Sequence, residues 1–169
     1  MHYSRLSIYL CFLVPIAAAS LCNPARGQQT VPAGCGEDTV PAIGQRCGDV
    51  VFGGVTDGGY IYVEALPRGE LHSWERAKAT CAALGPLWRL PTKAELTTLY
   101  DGRDVGALAG TFDAGWHWSS TQLGGLFTPS IRSFVTGEEG TASMDNAFAA
   151  RCVQTVSVPI KRLRERHDD

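Results

Sequence analysis

The stretch "WRLPTKAEL", residues 88–96, constrains the fold more than any other part of the chain. Thr92 and Glu95 have the T-x-x-E spacing of a capping box, in which each side chain accepts a hydrogen bond from the backbone amide of the other residue. Pro91 disfavours helical geometry at the residue before it. The stretch therefore predicts a helix that begins at Thr92 and turns Leu96 toward the core, and it favours a structural role for Glu95 over a catalytic one.

Upstream of this helix, the period of the apolar residues changes from two residues, as in a strand, to nearly four, as in a helix. The stretches "VVFGGV" and "GYIYVEAL" are rich in β-formers and predict a hairpin whose turn uses Gly58 and Gly59 at positive φ. In "SWERAKATCAALG", residues 73–85, Ser73 is the predicted N-cap of a helix and Gly85 its C-terminal stop. The face that we expect to pack inward carries Trp74, Ala77, Cys81 and Leu84.

Downstream of residue 101 the chain is rich in glycine and aromatic residues. We predict short strands at Trp116–Ser119, Ile131–Val135 and Ala149–Val156, with turns at 124–125 and 138–140. Strands, then helices, then strands predict an α+β fold with a mostly antiparallel sheet.

The N-terminal residues have the features of a secretory signal peptide, namely Arg5 followed by an apolar run over Leu6–Ala19. The run is shorter than the ~20 residues that span a bilayer's hydrocarbon core, so we expect no stable membrane span after cleavage. Small residues allow cleavage after Ala19 or after Gly27, and we prefer Gly27. The chain is then extracytoplasmic, in the periplasm or secreted.

Charge and length suggest one acidic domain. The chain has 15 Lys and Arg against 17 Asp and Glu, and loss of the signal peptide removes two of the arginines. We expect no nucleic-acid partner, because basic surfaces supply much of that affinity. The predicted organisation is a signal peptide over 1–27, an extended disulfide-closed lead-in over 28–48, a domain over 49–157 and a charged tail over 158–169.

Four of the six cysteines remain after cleavage, an even number in an oxidising compartment. Three pairings are open. We choose Cys35 with Cys47, which closes the lead-in, and Cys81 with Cys152, which joins a helix to the last strand. Zinc is the alternative, but the chain has no C-x-x-C pair and its histidines lie far apart in sequence. We therefore expect no metal and no cofactor.

Four pieces of the sequence, "SWERAKATCAALG", "WRLPTKAEL", "WHWSST" and "RCV", together resemble the bacterial Lcl C-terminal domain family, a domain of unknown function, over about residues 49–155. The closing "ARCVQ" is similar to the family's "VRCVR" and departs from it at Gln154. At greater distance the order of elements resembles a C-type lectin-like domain, which supports joining Cys81 to Cys152. The motif residues of this resemblance are Trp74, Trp88, Arg89, Leu90, Pro91, Thr92, Glu95, Trp118, Ser119 and Ser120.

The resemblance implies an extracytoplasmic bacterial protein, often surface-associated or adhesive, that binds and does not catalyse. Calcium-dependent lectins resemble one another in E-P-N or Q-P-D and W-N-D triplets, and none of these occurs here. The nearest stretch, "MDN" at 144–146, has one carboxylate and one amide, fewer oxygens than calcium takes. We expect a module that binds a glycan or a cell-surface component without calcium. The alternatives are a structural component of an envelope complex that binds protein and, less favoured, an enzyme.

Several polar and aromatic residues are candidates for a site. Trp116 and Trp118 share one face of their predicted strand and His117 takes the other, and we favour packing for the tryptophans. We expect Ser119 and Ser120 to bond loop backbone. An enzyme would use His117 with one of these serines and Asp113, but no nucleophile elbow or separated carboxylate pair accompanies them.

Loops on a rigid scaffold are where binding residues usually lie, so we expect the contact surface over about Asp101–Ser143. Arg89 and Arg151 are candidate contacts for an anion. For Arg89, pairing with a carboxylate or with helix-end carbonyls is favoured over a ligand role. The residues proposed to bind ligand are Trp116, His117, Arg132 and Asn146.

Overall fold

The computed structural model describes residues 31–32, 34–35, 39–65, 69–124 and 128–157. The predicted signal peptide and charged tail lie outside these ranges. Within them the chain forms two sheets and two α-helices, which confirms the α+β class. The helices are α1 Trp74–Ala82 and α2 Lys93–Asp101. The strands are β1 Arg46–Cys47, β2 Val50–Thr56, β3 Gly59–Glu64, β4 Leu71–His72, β5 Trp116–Leu123, β6 Thr128–Ser133, β7 Glu139–Thr141, β8 Phe148–Ala149 and β9 Val153–Val156.

The first sheet has the order β1-β2-β3-β9 and is antiparallel throughout. The predicted hairpin is β2 and β3, but only Gly59 of the two turn glycines has positive φ, at 125°. Because β1 pairs with β2, the end of the predicted lead-in belongs to this sheet. β9 comes from the far end of the described chain and pairs with β3, so the sheet joins both ends of the domain.

The second sheet has the order β4-β8-β5-β6-β7, with a parallel pairing only between β5 and β8. The predicted turn at 138–140 is wrong, because these residues enter strand β7, which pairs with β6. The chain reverses earlier, where Gly137 with φ of 79° donates its amide to the Ser133 carbonyl oxygen at 2.9 Å. The predicted strand over 131–135 accordingly ends at Ser133.

The predicted strand over 149–156 is two strands in different sheets. β8 ends at Ala149 in the second sheet, and β9 begins at Val153 in the first. Arg151, between them, is buried and its Nη2 donates to the Glu64 carbonyl oxygen at 2.6 Å. This crossing segment ties the two sheets together.

Helix α1 follows the predicted pattern except at its end. Ser73 is the N-cap by its extended backbone, although its side chain makes no capping hydrogen bond. Trp74, Ala77 and Cys81 are buried as predicted. Leu84 was expected to face inward but is 39% exposed, because the helix ends at Ala82 and Leu84 lies beyond it.

Helix α2 has the predicted capping box, with both reciprocal hydrogen bonds between Thr92 and Glu95. Leu96 and Leu99 are buried against the first sheet. Burial of such side chains stabilises a fold by roughly 1.5–3 kcal/mol each. The cluster they join also contains Val51, Ile61, Val63 and Val153.

Two disulfides join the pairs of cysteines that were predicted. Cys81 bonds Cys152, with Cα atoms 5.2 Å apart, and so connects α1 to the residue before β9. Cys35 bonds Cys47 in β1, again with a Cα separation of 5.2 Å. The first disulfide lies in a core cluster with Trp74, Leu90 and Trp118, and the second lies beside Phe52 and Tyr62.

Candidate functional site: a groove around Arg89

An ion pair between Arg89 and Glu95 lies where α2 meets the edge of the first sheet. Arg89 Nη1 donates to Glu95 Oε2 at 2.7 Å, and Nη2 donates to Oε1 at 2.8 Å. Arg89 Nη2 also donates to the Thr155 hydroxyl oxygen at 2.8 Å, and that hydroxyl donates to Glu95 Oε1 at 2.6 Å. This is the carboxylate pairing that the sequence predicted for Arg89.

Backbone structure places each of these groups. The backbone of Arg89 bridges that of Val153, with N–O distances of 3.0 and 2.8 Å. Thr155 lies two residues further along β9, so its side chain is on the same face of the strand as that of Val153. The capping box fixes the Glu95 side chain beside Thr155, because Glu95 Oε2 accepts a hydrogen bond from the Thr92 amide at 2.7 Å.

Both members of the pair are charged at neutral pH. Burial would raise the pKa of Glu95, but hydrogen bonds from Arg89, Thr155 and the Thr92 amide outweigh it and lower the pKa to about 2. The hydrogen bond to Glu95 likewise raises the pKa of Arg89 above its usual value. The Glu95 side chain is 4% exposed and that of Arg89 is 41% exposed, so the arginine is the member of the pair that solvent reaches.

A cleft of about 570 Å³ opens beside this pair, and we call it the hydroxyl hollow. It lies between the β2–β3 turn, the start of α2 and the end of β9. Its distinctive feature is a set of hydroxyl side chains near the charged pair. The lining residues are Val55, Thr56, Asp57, Gly58, Leu87, Arg89, Thr92, Ala94, Glu95, Thr98, Thr155 and Ser157.

A second cleft of about 420 Å³ is also lined by Arg89, and we call it the apolar hollow. Its apolar lining comes from α1 and from the half-buried Trp88. Polar groups from Glu75, Lys78 and Ser120 are also present in its wall. The remaining lining residues are Ala79, Ala82, Arg89 and Leu90. The two hollows meet at Arg89, and together we call them the groove.

The residues predicted to bind ligand do not form this groove. His117 is 0% exposed and packs against the stacked rings of Phe112 and Phe134, with its ring centroid 4.4 Å from that of Phe134. Burial lowers the pKa of His117 to about 4, so the ring is neutral at pH 7. It therefore lies in the core and not on the contact surface expected for it.

Arg132 is also buried, and it is the register partner of His117 in the antiparallel pair of β5 and β6. Its guanidinium donates to the Gly137 carbonyl oxygen at 3.0 Å and to the Thr97 hydroxyl at 2.9 Å, and it pairs with Glu139. Those contacts hold the β6–β7 turn against α2. Arg132 is thus a structural residue and not the ligand contact that we expected.

Trp116 and Asn146 differ from each other in exposure. Trp116 is half-buried and packs, like Trp118, against the core cluster around the Cys81–Cys152 disulfide. Asn146 is exposed in the loop before β8. Among the described residues of the expected contact surface over 101–143, only Ser120 lines either of the two hollows.

The motif residues around "WSS" connect elements of the fold. Trp74 Nε1 donates to the Ser119 carbonyl oxygen at 2.8 Å, and Trp118 Nε1 donates to the His72 carbonyl oxygen at 2.7 Å. The Ser120 hydroxyl donates to the Pro91 carbonyl oxygen at 3.2 Å. These bonds join β5 to α1, to β4 and to the segment before α2, and they match the packing interpretation.

Sequence reasoning missed the groove. Arg89 and Thr155 are 66 residues apart, and no local pattern marks them as partners. The α1 residues Lys78, Ala79 and Ala82 line the groove. The sequence predicts only that they lie on the exposed face of an amphipathic helix, and this is equally true of helix positions that bind nothing.

Comparison with known proteins gives no assignment, since neither a family model nor a curated protein matches the chain. The resemblances to the Lcl C-terminal domain family and to C-type lectin-like domains therefore stay predictions. In the part of the chain that the structure describes, no three metal-ligating side chains lie close enough to hold an ion. No helix among the described residues is long and apolar enough to span a bilayer.

Proposed function

We propose that this chain is a non-enzymatic, extracytoplasmic binding module that recognises a glycan or another surface component without calcium, and that the groove is its contact surface. The observation that carries the proposal is the meeting of a hydroxyl-rich hollow and an aromatic, apolar hollow at one fixed ion pair. Ligand sites are typically concave, partly apolar and equipped with a few well-placed polar groups.

The hydroxyl hollow has the chemistry that sugar hydroxyls need. A threonine hydroxyl both donates and accepts hydrogen bonds, as a sugar hydroxyl does. Thr56 and Thr98 lie in its wall, half-buried, and Asp57 adds a carboxylate acceptor at the turn. Such groups bind a polyhydroxylated ligand without a metal ion.

The state of Glu95 favours binding over catalysis. Its two carboxylate oxygens accept hydrogen bonds from both Arg89 nitrogens, the Thr92 amide and the Thr155 hydroxyl. General acid–base catalysis requires a group that gives up or takes up a proton near the working pH. With its pKa lowered to about 2, Glu95 does neither near neutral pH. Two disulfides are compatible with an extracytoplasmic location.

A second candidate function is assembly with a protein in an envelope complex. The observation in its favour is apolar exposure at the margin of the groove, where Val55 and Leu87 both line the hydroxyl hollow and are exposed. Exposed apolar patches often mark protein contacts. Crosslinking in cells distinguishes the two functions, because a single stoichiometric protein partner indicates assembly.

A glycan array probed with the purified mature chain, with and without a calcium chelator, tests the proposal. We expect binding that survives the chelator. The double variant Thr56→Val/Thr98→Val keeps the shape of the hydroxyl hollow but removes two hydroxyls, and at ~1 kcal/mol for each hydrogen bond it should weaken binding about thirtyfold. The matched control is Thr141→Val, at an exposed position in β7 outside the groove. No binding by the wild-type chain, together with turnover in a general hydrolase screen, would overturn the proposal.

A further inference from the structure

We infer that the ligand of the groove is a linear chain of neutral sugar rings that crosses Arg89, with one ring in each hollow. This inference rests on the proposed glycan-binding function and adds the length and charge of the ligand. It comes from three observations on the described residues: the chemistry of the two hollows, the fixed position of Arg89 in the lining of both, and the pairing of their charges.

The two hollows suit different surfaces of a sugar ring. A pyranose has an edge of hydroxyl groups and a face of C–H groups. In the hydroxyl hollow, Thr56 offers a hydroxyl donor and acceptor for the edge. The hydroxyls of Thr98 and Thr155 already donate to the Ala94 carbonyl oxygen and to Glu95, so they offer acceptor lone pairs. In the apolar hollow, Trp88 and the exposed Ala79 and Ala82 offer an apolar surface for the face. Ser120 and Lys78 offer polar atoms for its substituents. The two sets of groups line different hollows, so we assign a separate ring to each.

Arg89 lines both hollows and cannot move aside at low cost. Its backbone is bonded to Val153 at 3.0 and 2.8 Å, and its guanidinium is held by Glu95 at 2.7 and 2.8 Å. The volumes of the two hollows, about 570 and 420 Å³, are each within the usual range for a ligand site. A ligand that fills both must therefore be extended and pass over the arginine.

The charges of the groove pair with one another, which favours a neutral ligand. Arg89 is neutralised by Glu95. Lys78 Nζ lies 3.2 Å from Glu75 Oε2 and 4.0 Å from the centroid of the Trp74 ring. Asp57, at the turn of the hydroxyl hollow, adds a negative charge that repels an acidic chain.

Calorimetric titration with oligosaccharides of increasing length tests this inference. The neutral probes are N-acetylglucosamine and glucose oligomers of one to six rings, and the acidic probes are galacturonic acid oligomers of the same lengths. We expect affinity for a neutral series to rise about tenfold or more from one ring to four, and acidic oligomers to bind at least about tenfold more weakly.

The double variant Ala79→Leu/Ala82→Leu fills the apolar hollow from two exposed helix positions and should remove the gain with length while leaving the affinity for one ring unchanged. The control Ala83→Leu, exposed on the same helix end and outside both hollows, should retain the gain. Saturation-transfer NMR of the wild-type chain gives a second readout that needs no variant, since at least two consecutive rings should contact protein.

Equal affinity for one ring and for four overturns the inference and leaves the proposed function standing. So does preferential binding of the acidic series. An array on which no glycan binds removes the proposed function itself, and the inference with it.

Discussion

Arg89 and Glu95 form a two-point ion pair whose carboxylate also closes the capping box of α2 and receives the hydroxyl of Thr155 from β9. One buried carboxylate thus connects the segment before the helix, the helix itself and the last strand. Four predictions follow from this pair and from the contacts around it.

Replacing Glu95 with Gln should lower the free energy of unfolding by about 2 kcal/mol. This value lies between the small effect expected of an exposed pair and the larger one of a fully buried pair, because Arg89 is partly exposed. Urea unfolding followed by circular dichroism measures it. The control Glu75→Gln removes an exposed partner of Lys78 and should change stability by less than about 0.5 kcal/mol. Equal effects of the two variants would contradict the structural role given to Glu95.

Stability should fall in two steps as the solution is acidified. The folded pKa of His117, about 4, is below the ordinary value of 6.5, so the unfolded chain takes up this proton first and stability decreases as pH falls from 6.5 to 4. The folded pKa of Glu95 is about 2 against 4.5, so its contribution, roughly 3 kcal/mol at most, is complete above pH 4.5 and is lost toward pH 2.

Variants assign the two steps. His117→Leu places an apolar side chain beside Phe112 and Phe134 and should remove the step between pH 6.5 and 4. Glu95→Gln should remove the lower step and leave the upper one. Thermal melts over a pH series show whether each variant loses only its own step.

Gly59→Ala should destabilise the domain, and Gly58→Ala should not. Gly59 has φ of 125°, and a Cβ there would collide with the Val156 carbonyl group at the edge of β9. Gly58 lies outside the positive-φ region, and the nearest atom to its added Cβ is Thr56 Oγ1 at 3.7 Å. We expect a loss on the order of 1–3 kcal/mol for the first variant and little change for the second, measured by urea unfolding. Similar losses at both positions would contradict this structure of the turn.

Removing the Cys81–Cys152 disulfide should destabilise the domain more than removing the Cys35–Cys47 disulfide. The sequence separations are 71 and 12 residues, and on the chain-entropy model the longer loop corresponds to roughly 4 kcal/mol and the shorter to roughly 3. The paired variants Cys81→Ala/Cys152→Ala and Cys35→Ala/Cys47→Ala test this by thermal denaturation. If the short-loop variant were the less stable one, the long disulfide would not be the main covalent constraint.

The amino-acid sequence by itself determined the features whose causes are local. The capping box of Thr92 and Glu95, the inward face of α1 at Trp74, Ala77 and Cys81, and the turn at Gly59 each depend on hydrogen bonds or spacings within a few residues. The two cysteine pairs were chosen correctly among three alternatives, because one closes the predicted lead-in and the other joins the first predicted helix to the last strand.

Tertiary structure alone decided the rest. Alternation of residues is the same whichever sheet a strand joins, so the division of 149–156 between two sheets was not visible in the sequence. His117 and Arg132 were candidates for ligand contact by residue type, but their position between β5, β6 and the core buries them. The groove depends on Arg89 meeting Thr155 across 66 residues. Such contacts join residues far apart in sequence, and the spacing of neighbouring residues does not show which distant elements will meet.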